Sequence, residues 1–233
     1  MMPTPTRAAR VRTVLGWPVG LAIVSWRYMW RTIPLHRSEE AGTRADLPDL
    51  AYDTTGFADR FQPLEAGVGP MLHRLYRVRI VGTSITPPVL MDLVSHSLNK
   101  ASPEMAKFRK TGGDRGALRQ GDEYLVRMPG PWDGPVRVVR RDEASFRLAT
   151  LRGHLEAGEI EFRAGTDGDG LYFEIESWAR AGDRLSALLY NNLRAAKEIQ
   201  LNMWSHFCIR AASLAGGRLQ GGITIRTRRV PWD

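Results

Sequence analysis

Residues 159–176 read EIEFRAGTDGDGLYFEIE. Ile160 and Phe162 alternate with Glu159, Glu161 and Arg163, and Phe173 and Ile175 alternate with Tyr172, Glu174 and Glu176. A period of two puts the apolar side chains on one face and the charged ones on the other, which predicts two strands. The glycine-rich stretch Gly165-Thr166-Asp167-Gly168-Asp169-Gly170 between them predicts the turn of a hairpin. The same alternation runs upstream through Tyr124, Val126 and Met128, through Val136 and Val138, and through Phe146, Leu148 and Thr150. A series of strands with one apolar and one charged face reads as an antiparallel sheet with one side in water.

The pattern then changes period. From Gly182-Asp183 onward, Leu185, Leu189, Leu193, Ala196, Ile199, Met203, Phe207, Arg210 and Leu214 recur at three or four residues. A helix of this length spans ~45 Å at its rise per residue, enough to cross a sheet. Gly216-Gly217 is a suitable stop. Before the strands, Tyr76, Val78 and Ile80 alternate as a strand. Thr86-Pro87 then offers a helix cap ahead of Leu90, Leu93, Val94 and Leu98. Ser102-Pro103 repeats that signature for a second, short helix through Lys107. Ile223, Ile225 and Thr227 alternate as a strand in the tail, residues 218–233. The fold class is therefore α+β, a curved antiparallel sheet wrapped around a long C-terminal helix, with its domain at residues 71–217.

The chain of 233 residues has one cysteine, Cys208, so an intrachain disulfide framework and a cysteine-based zinc site are excluded. On a helix among apolar neighbours, Cys208 reads as an inert thiol, and a reducing, cytoplasmic setting is expected. The formal net charge is +8, but its location matters. Arg7, Arg10, Arg12, Arg27, Arg31 and Arg37 fall in residues 1–37 without one acidic residue, leaving the remainder near neutral. With no zinc finger, helix-turn-helix or RNA-binding aromatic motif, no nucleic-acid partner is expected.

The N-terminal stretch Val14–Trp26, VLGWPVGLAIVSW, is shorter than the ~20 apolar residues a spanning helix needs. Its basic start and apolar core fit a secretory signal in outline, but no small-residue cleavage site follows. Val19, Ala22, Ile23, Trp26, Met29, Trp30 and Ile33 recur with a helical period. Two readings stay open: an interfacial helix placing residues 7–37 on a membrane surface, and a helix packed on the protein's own core or on a second copy in a homo-oligomer. Residues 38–70 sustain no period and read as a linker or wrapping arm, with Tyr52, Phe57 and Phe61 as docking points.

The segment Thr150-Leu151-Arg152-Gly153-His154-Leu155-Glu156-Ala157-Gly158-Glu159-Ile160-Glu161-Phe162 resembles the signature of the uncharacterised DUF1990 family, also called UPF0548. The strand Leu171–Arg180 and the stretch Pro131-Trp132-Asp133-Gly134-Pro135 ahead of Val136-Arg137-Val138 are similar to that family as well. Ala149 before Thr150, Ile160, and Ala179-Arg180-Ala181 depart from its pattern. The resemblance covers about residues 121–207. It implies the helix-grip fold of START-like and Bet v 1-like proteins, and no established activity. That fold carries six strands after its helices where five are legible here, so a sixth is expected around residues 115–120 or in the N-terminal arm.

His154 and Glu159 are the candidate catalytic residues, since a histidine and a carboxylate can share acid–base work. Gly153 and Gly158 bracket a sharp connection there, and a turn-stabilising hydrogen bond explains the same residue types. Asp167, Asp169 and Glu174 resemble a calcium loop, but Leu171 stands where an oxygen ligand is needed, and a plain hairpin turn is the simpler reading. No metal and no cofactor are expected. Tyr124, Trp132, Phe173, Trp178, Tyr190, Met203, Trp204, His206 and Phe207 are the candidate ligand-binding residues for a cavity between sheet and helix, with Asn192 a further polar group. The same residues would also build a solid core. Three functions follow: a binding protein for a hydrophobic small molecule or lipid, an enzyme on an apolar substrate using His154 and Glu159, and an interaction or oligomerisation module.

Overall fold

The computed structural model describes residues 33–49, 53–103, 106–127, 133–168, 170–183 and 194–232. The predicted hairpin forms as two long strands, β7 (Glu156–Asp167) and β8 (Gly170–Ala181), with Phe162 opposite Ile175 and Glu161 opposite Glu176. β6 (Ser145–Thr150), β5 (Asp133–Asp142), β4 (Glu123–Arg127) and β3 (Lys107–Gly112) continue the sheet on one side. On the other side lie β2 (Val68–Val81), β9 (Arg218–Val230) and β1 (Leu35–Ala41). The order across the nine-stranded sheet is β1-β9-β2-β8-β7-β6-β5-β4-β3. Every pairing is antiparallel except the edge pair β1–β9.

Three helices complete the described fold: α1 (Pro87–His96), α2 (Leu98–Ala101) and α3 (Arg194–Leu214). Thr86 precedes α1 as expected, but makes no side-chain cap; its carbonyl accepts from Leu90 N at 3.0 Å, and Pro87 supplies the preset first turn. The helix expected through Lys107 is not there. Ser102 spends its hydroxyl on the carbonyls of Ala106 and Pro103, which turns the chain back, and Lys107 opens β3. β3 is therefore the sixth strand, read as a helix from the Ser-Pro signature. The expected long helix is described from Arg194. At its other end Gly216, at φ +68°, takes the left-handed turn that a side chain resists, and Gly217 N donates back to Ala212 O at 3.1 Å.

The core lies between the concave face of the sheet and α3. Tyr76, Val78 and Ile80 of β2, Phe146 and Leu148 of β6, Phe162 of β7, Phe173 and Ile175 of β8, and Ile223 and Ile225 of β9 share this core with Phe207, Cys208 and Ala211 of α3 and with Ala215 just past its end. Alanines on the helix let it approach the sheet closely, while the bulk comes from the strands.

The opposite face of the sheet was expected in water, and half of it is covered. Residues 43–49 and 53–67 lie across it as a strap. Leu64 packs on Met71, Trp178 and Val230. Phe57 and Phe61 pack on Val139, Ala149 and Leu151. Of the three aromatic residues expected to dock, Phe57 and Phe61 are these contacts, and Tyr52 lies outside the described residues. Among the described residues, no helix is long and apolar enough to cross a membrane.

Candidate functional site

On the concave side, five aromatic side chains meet where α3 crosses β6, β7 and β8. Phe146 stacks on Phe162 with ring centroids 4.7 Å apart. Phe162 meets Phe207 at 5.1 Å, and Phe173 stacks on Phe207 at 6.0 Å. Trp204 stands edge-on to Phe162 at 5.6 Å and 72°, and lies 6.2 Å from Phe207. Edge-to-face and offset rings of this kind are held in defined orientations. Trp204 is only 7% exposed, and its Nε1 has no hydrogen-bond partner among the described residues. The next residue, Ser205, is 1% exposed and its Oγ is likewise without one. Buried polar atoms in folded proteins are nearly always bonded, so these two orphans, with Asn202 Oδ1 a third on the same helix, stand out. The Cys208 thiol lies fully buried, and burial pushes its pKa well up, which fits the inert reading.

One turn before Trp204, Arg74 of β2 donates to the Gln200 Oε1, and Gln200 Nε2 donates to Glu156 Oε2 at 2.8 Å. A cation and an anion are thus linked through an amide on the concave face. Burial raises the pKa of the nearby Tyr76 to about 12, so the phenol stays neutral.

Of the nine ligand-binding candidates, Phe173, Trp204 and Phe207 are brought into one cluster, with Met203 half-buried against the same core. Tyr124 belongs to that core but sits toward the β3 edge, 6.5 Å from Phe108. Trp178 faces the other way, stacked on His73 at 5.4 Å on the convex side. His206 is half-buried on α3. Trp132, Tyr190 and the further group Asn192 lie outside the described residues, as does the N-terminal stretch 7–32.

His154 and Glu159 do not meet in a hydrogen bond. His154 Nδ1 lies 2.9 Å from Glu156 N and 3.0 Å from Glu156 O, so it accepts from the first when unprotonated and donates to the second when protonated. Burial holds His154 below the ordinary histidine range. Glu159 lies on the convex face, where its Oε2 reaches Arg147 Nη1 at 3.5 Å. Burial raises its pKa to about 7 against the pull of Arg147, and its Oε1 has no hydrogen-bond partner among the described residues.

The residues around this pair hold the strap. Gln62 Nε2 donates to the carbonyls of His154 and Glu156, both at 3.0 Å, and Gly153 N donates to Gln62 Oε1 at 3.1 Å. Thr150 Oγ1 donates to Gln62 O at 2.9 Å. Gly158 stands within β7 at φ +143°, and a Cβ there would lie 2.0 Å from Trp178 O and 3.0 Å from Leu64 Cδ2. The stretch Thr150–Gly158 is thus a socket whose glycines and threonine admit one extended segment. Nothing in the sequence marked Gln62 as its occupant; the density of glycines at 153 and 158 was the available signal.

Across the rest of the convex face runs a ladder of ion pairs. Glu161 and Glu176 are directly opposed, an arrangement that repels. Arg147 donates to Glu161 at 2.8 Å, and Arg163 donates to Glu174 at 2.7 Å and Glu176 at 2.6 Å. His73 bridges Glu176 at 2.7 Å and the strap's Asp46 at 3.3 Å. Among the described residues, no cluster of histidine, cysteine and carboxylate groups could hold a metal ion.

Residues 103–209 match the model of DUF1990, a domain of unknown function. The matched segment takes in β3 to β8 and most of α3, and leaves β1, β2, α1 and β9 outside. No curated protein matches the chain. Among solved structures, KanY protein is similar at 8% identity and a TM-score of 0.44, over 65% of this chain and 99% of that one. Ara h 8.0201 is similar at 8% identity and a TM-score of 0.43, over 62% and 99%. The ginseng major latex-like protein 151 from Panax ginseng is similar at 17% identity and a TM-score of 0.36, over 57% and 97%.

Proposed function

We propose that this chain, a DUF1990 segment completed by β1, β2, α1 and β9, is a binding protein for an apolar small molecule held between the concave face of its sheet and α3. The observation that carries this reading is the pair of buried polar atoms on the inner side of the helix, Trp204 Nε1 and Ser205 Oγ, with no hydrogen-bond partner among the described residues. An unsatisfied buried donor costs about 1–3 kcal/mol, and a bound molecule presenting an oxygen would recover it. The rest of the affinity would come from apolar surface, ~25 cal/mol per Å² removed from water before the costs of association. The half-buried Leu201 and Met203 still expose such surface, beside the already buried rings of the cluster.

The test is native mass spectrometry of the purified protein, before and after incubation with a membrane lipid extract, followed by organic extraction. A reproducible bound mass is the expected result and names the ligand class. A clean apo mass in both samples overturns the reading and leaves α3 covering a filled core.

A further inference from the structure

Trp204 is held in a way that a purely structural tryptophan does not require. Its ring is fixed on two sides, edge-on to Phe162 and tilted against Phe207, so the direction of its N–H is set by packing. The indole nitrogen can only donate. Phenylalanine at this position would keep the ring contacts and remove the orphan. The charges on this face are matched elsewhere: Arg74 and Glu156 are joined through Gln200, one helical turn away. The side chains beside Trp204 on the helix, Leu201 and Met203, are apolar and half-buried.

We propose that the Trp204 indole N–H is the specificity-determining contact of the site, and that it reads a neutral oxygen acceptor, a ketone or ester carbonyl, on an otherwise apolar molecule. This rests on the binding reading above and names the ligand's chemistry. A fixed donor in an apolar wall favours a molecule with one acceptor at that point over an equally apolar one without it. The advantage arises because the bare hydrocarbon leaves the donor unpaired, and because the orientation cost was met in folding. An anion gains less, since no described cation is left over on this face to offset its dehydration.

The experiment uses the full chain and two fluorescent probes, a propionyl-dimethylaminonaphthalene and the same dimethylaminonaphthalene without its acyl group. The wild-type protein is expected to bind the ketone about tenfold more tightly than the hydrocarbon. Trp204→Phe is expected to remove that preference, so that the ketone and the probe without its acyl group bind it within about twofold of one another. Circular dichroism first verifies that Trp204→Phe is folded. If it is not, the infrared carbonyl band of the ketone bound to wild type decides, since a hydrogen-bonded carbonyl absorbs at lower frequency than one in dry solvent. An unshifted band, or a preference that survives in Trp204→Phe, overturns the assignment while leaving the binding function standing. Failure of both probes to bind overturns the binding function and the assignment with it.

Discussion

The main-chain N–H of Gly158, near the start of β7, donates to the carbonyl oxygen of Gln62, in the strap that crosses the sheet, at 3.1 Å. Thr150 Oγ1 donates to that same carbonyl, and the Gln62 amide is bonded at both ends. Through this contact a segment outside the DUF1990 match is fastened to the centre of it.

Gln62→Ala removes the three hydrogen bonds of the side-chain amide and leaves the His154 and Glu156 carbonyls to water or to nothing. At about 1 kcal/mol net per bond, the loss is expected at about 2–4 kcal/mol, read as a fall in the urea midpoint at constant slope. Gly158→Ala should be worse, since its Cβ would fall 2.0 Å from a backbone oxygen that cannot move aside. An unchanged midpoint in Gln62→Ala would show that the strap lies on the sheet without stabilising it.

Glu159 gives the fold a dependence on alkaline conditions. Its pKa is raised from the ordinary 4.5 to about 7 by burial, so the folded state favours the protonated acid. The stabilisation it contributes is complete below pH 4.5 and is lost as the pH rises to about 7. Glu159→Gln keeps the shape without the charge. Arg147 retains Glu161 at 2.8 Å and Asp49 O at 2.9 Å. The variant is therefore expected to be more stable than wild type by about 1–3 kcal/mol at pH 8, and equal to it near pH 4.5. Melting temperatures across that range are the measurement; parallel curves would mean that Glu159 is solvated in the folded protein.

Phe207 touches Phe162, Phe173 and Trp204 at once. Phe207→Ala opens a void that three rings line and none can fill without turning, with an expected cost of about 3–5 kcal/mol. Phe207→Leu should cost much less, because it preserves most of the volume. Chemical unfolding of both variants measures the difference, and similar losses would indicate that the cluster tolerates repacking.

The sequence made some of these elements plain and hid others for physical reasons. β4 to β8 alternate because each turns one set of apolar side chains into the shared concave core, so their apolar periods are imposed by packing. β1 buries almost nothing along its length, and β3 buries little beyond Phe108, so neither leaves a period to read. At Ser102-Pro103 a hydroxyl that bonds to carbonyls imitates a helix cap. The aromatic residues Phe173, Trp204 and Phe207 were legible as neighbours because they share the inner faces of strand and helix. Trp178 was not separable from them by residue type, although alternation from Phe173 and Ile175 puts it on the opposite face. The strap was legible only as an arm with aromatic docking points, and its Gln62 contact escaped because a segment bound through main-chain and amide hydrogen bonds needs no hydrophobic period.

His154 supplies the complementary dependence on acid. With Nδ1 unprotonated the ring can accept the Glu156 N–H at 2.9 Å, and with it protonated it can donate to the Glu156 carbonyl at 3.0 Å. Burial lowers its pKa from 6.5, against the opposing pull of Glu156. A lowered base is neutral in the folded state while the unfolded chain takes up the proton, so its stabilisation is present above pH 6.5 and lost as the pH falls below it. His154→Asn offers a carbonyl to the same N–H and has no proton to gain. The expected outcome is a stability profile that no longer declines between pH 6.5 and 5, with little change at pH 8. An NMR titration of the wild-type imidazole makes the same test on the atom itself. Protonation at or above pH 6.5 would show the ring open to water and poised for proton transfer, which would return His154 to the candidate catalytic groups.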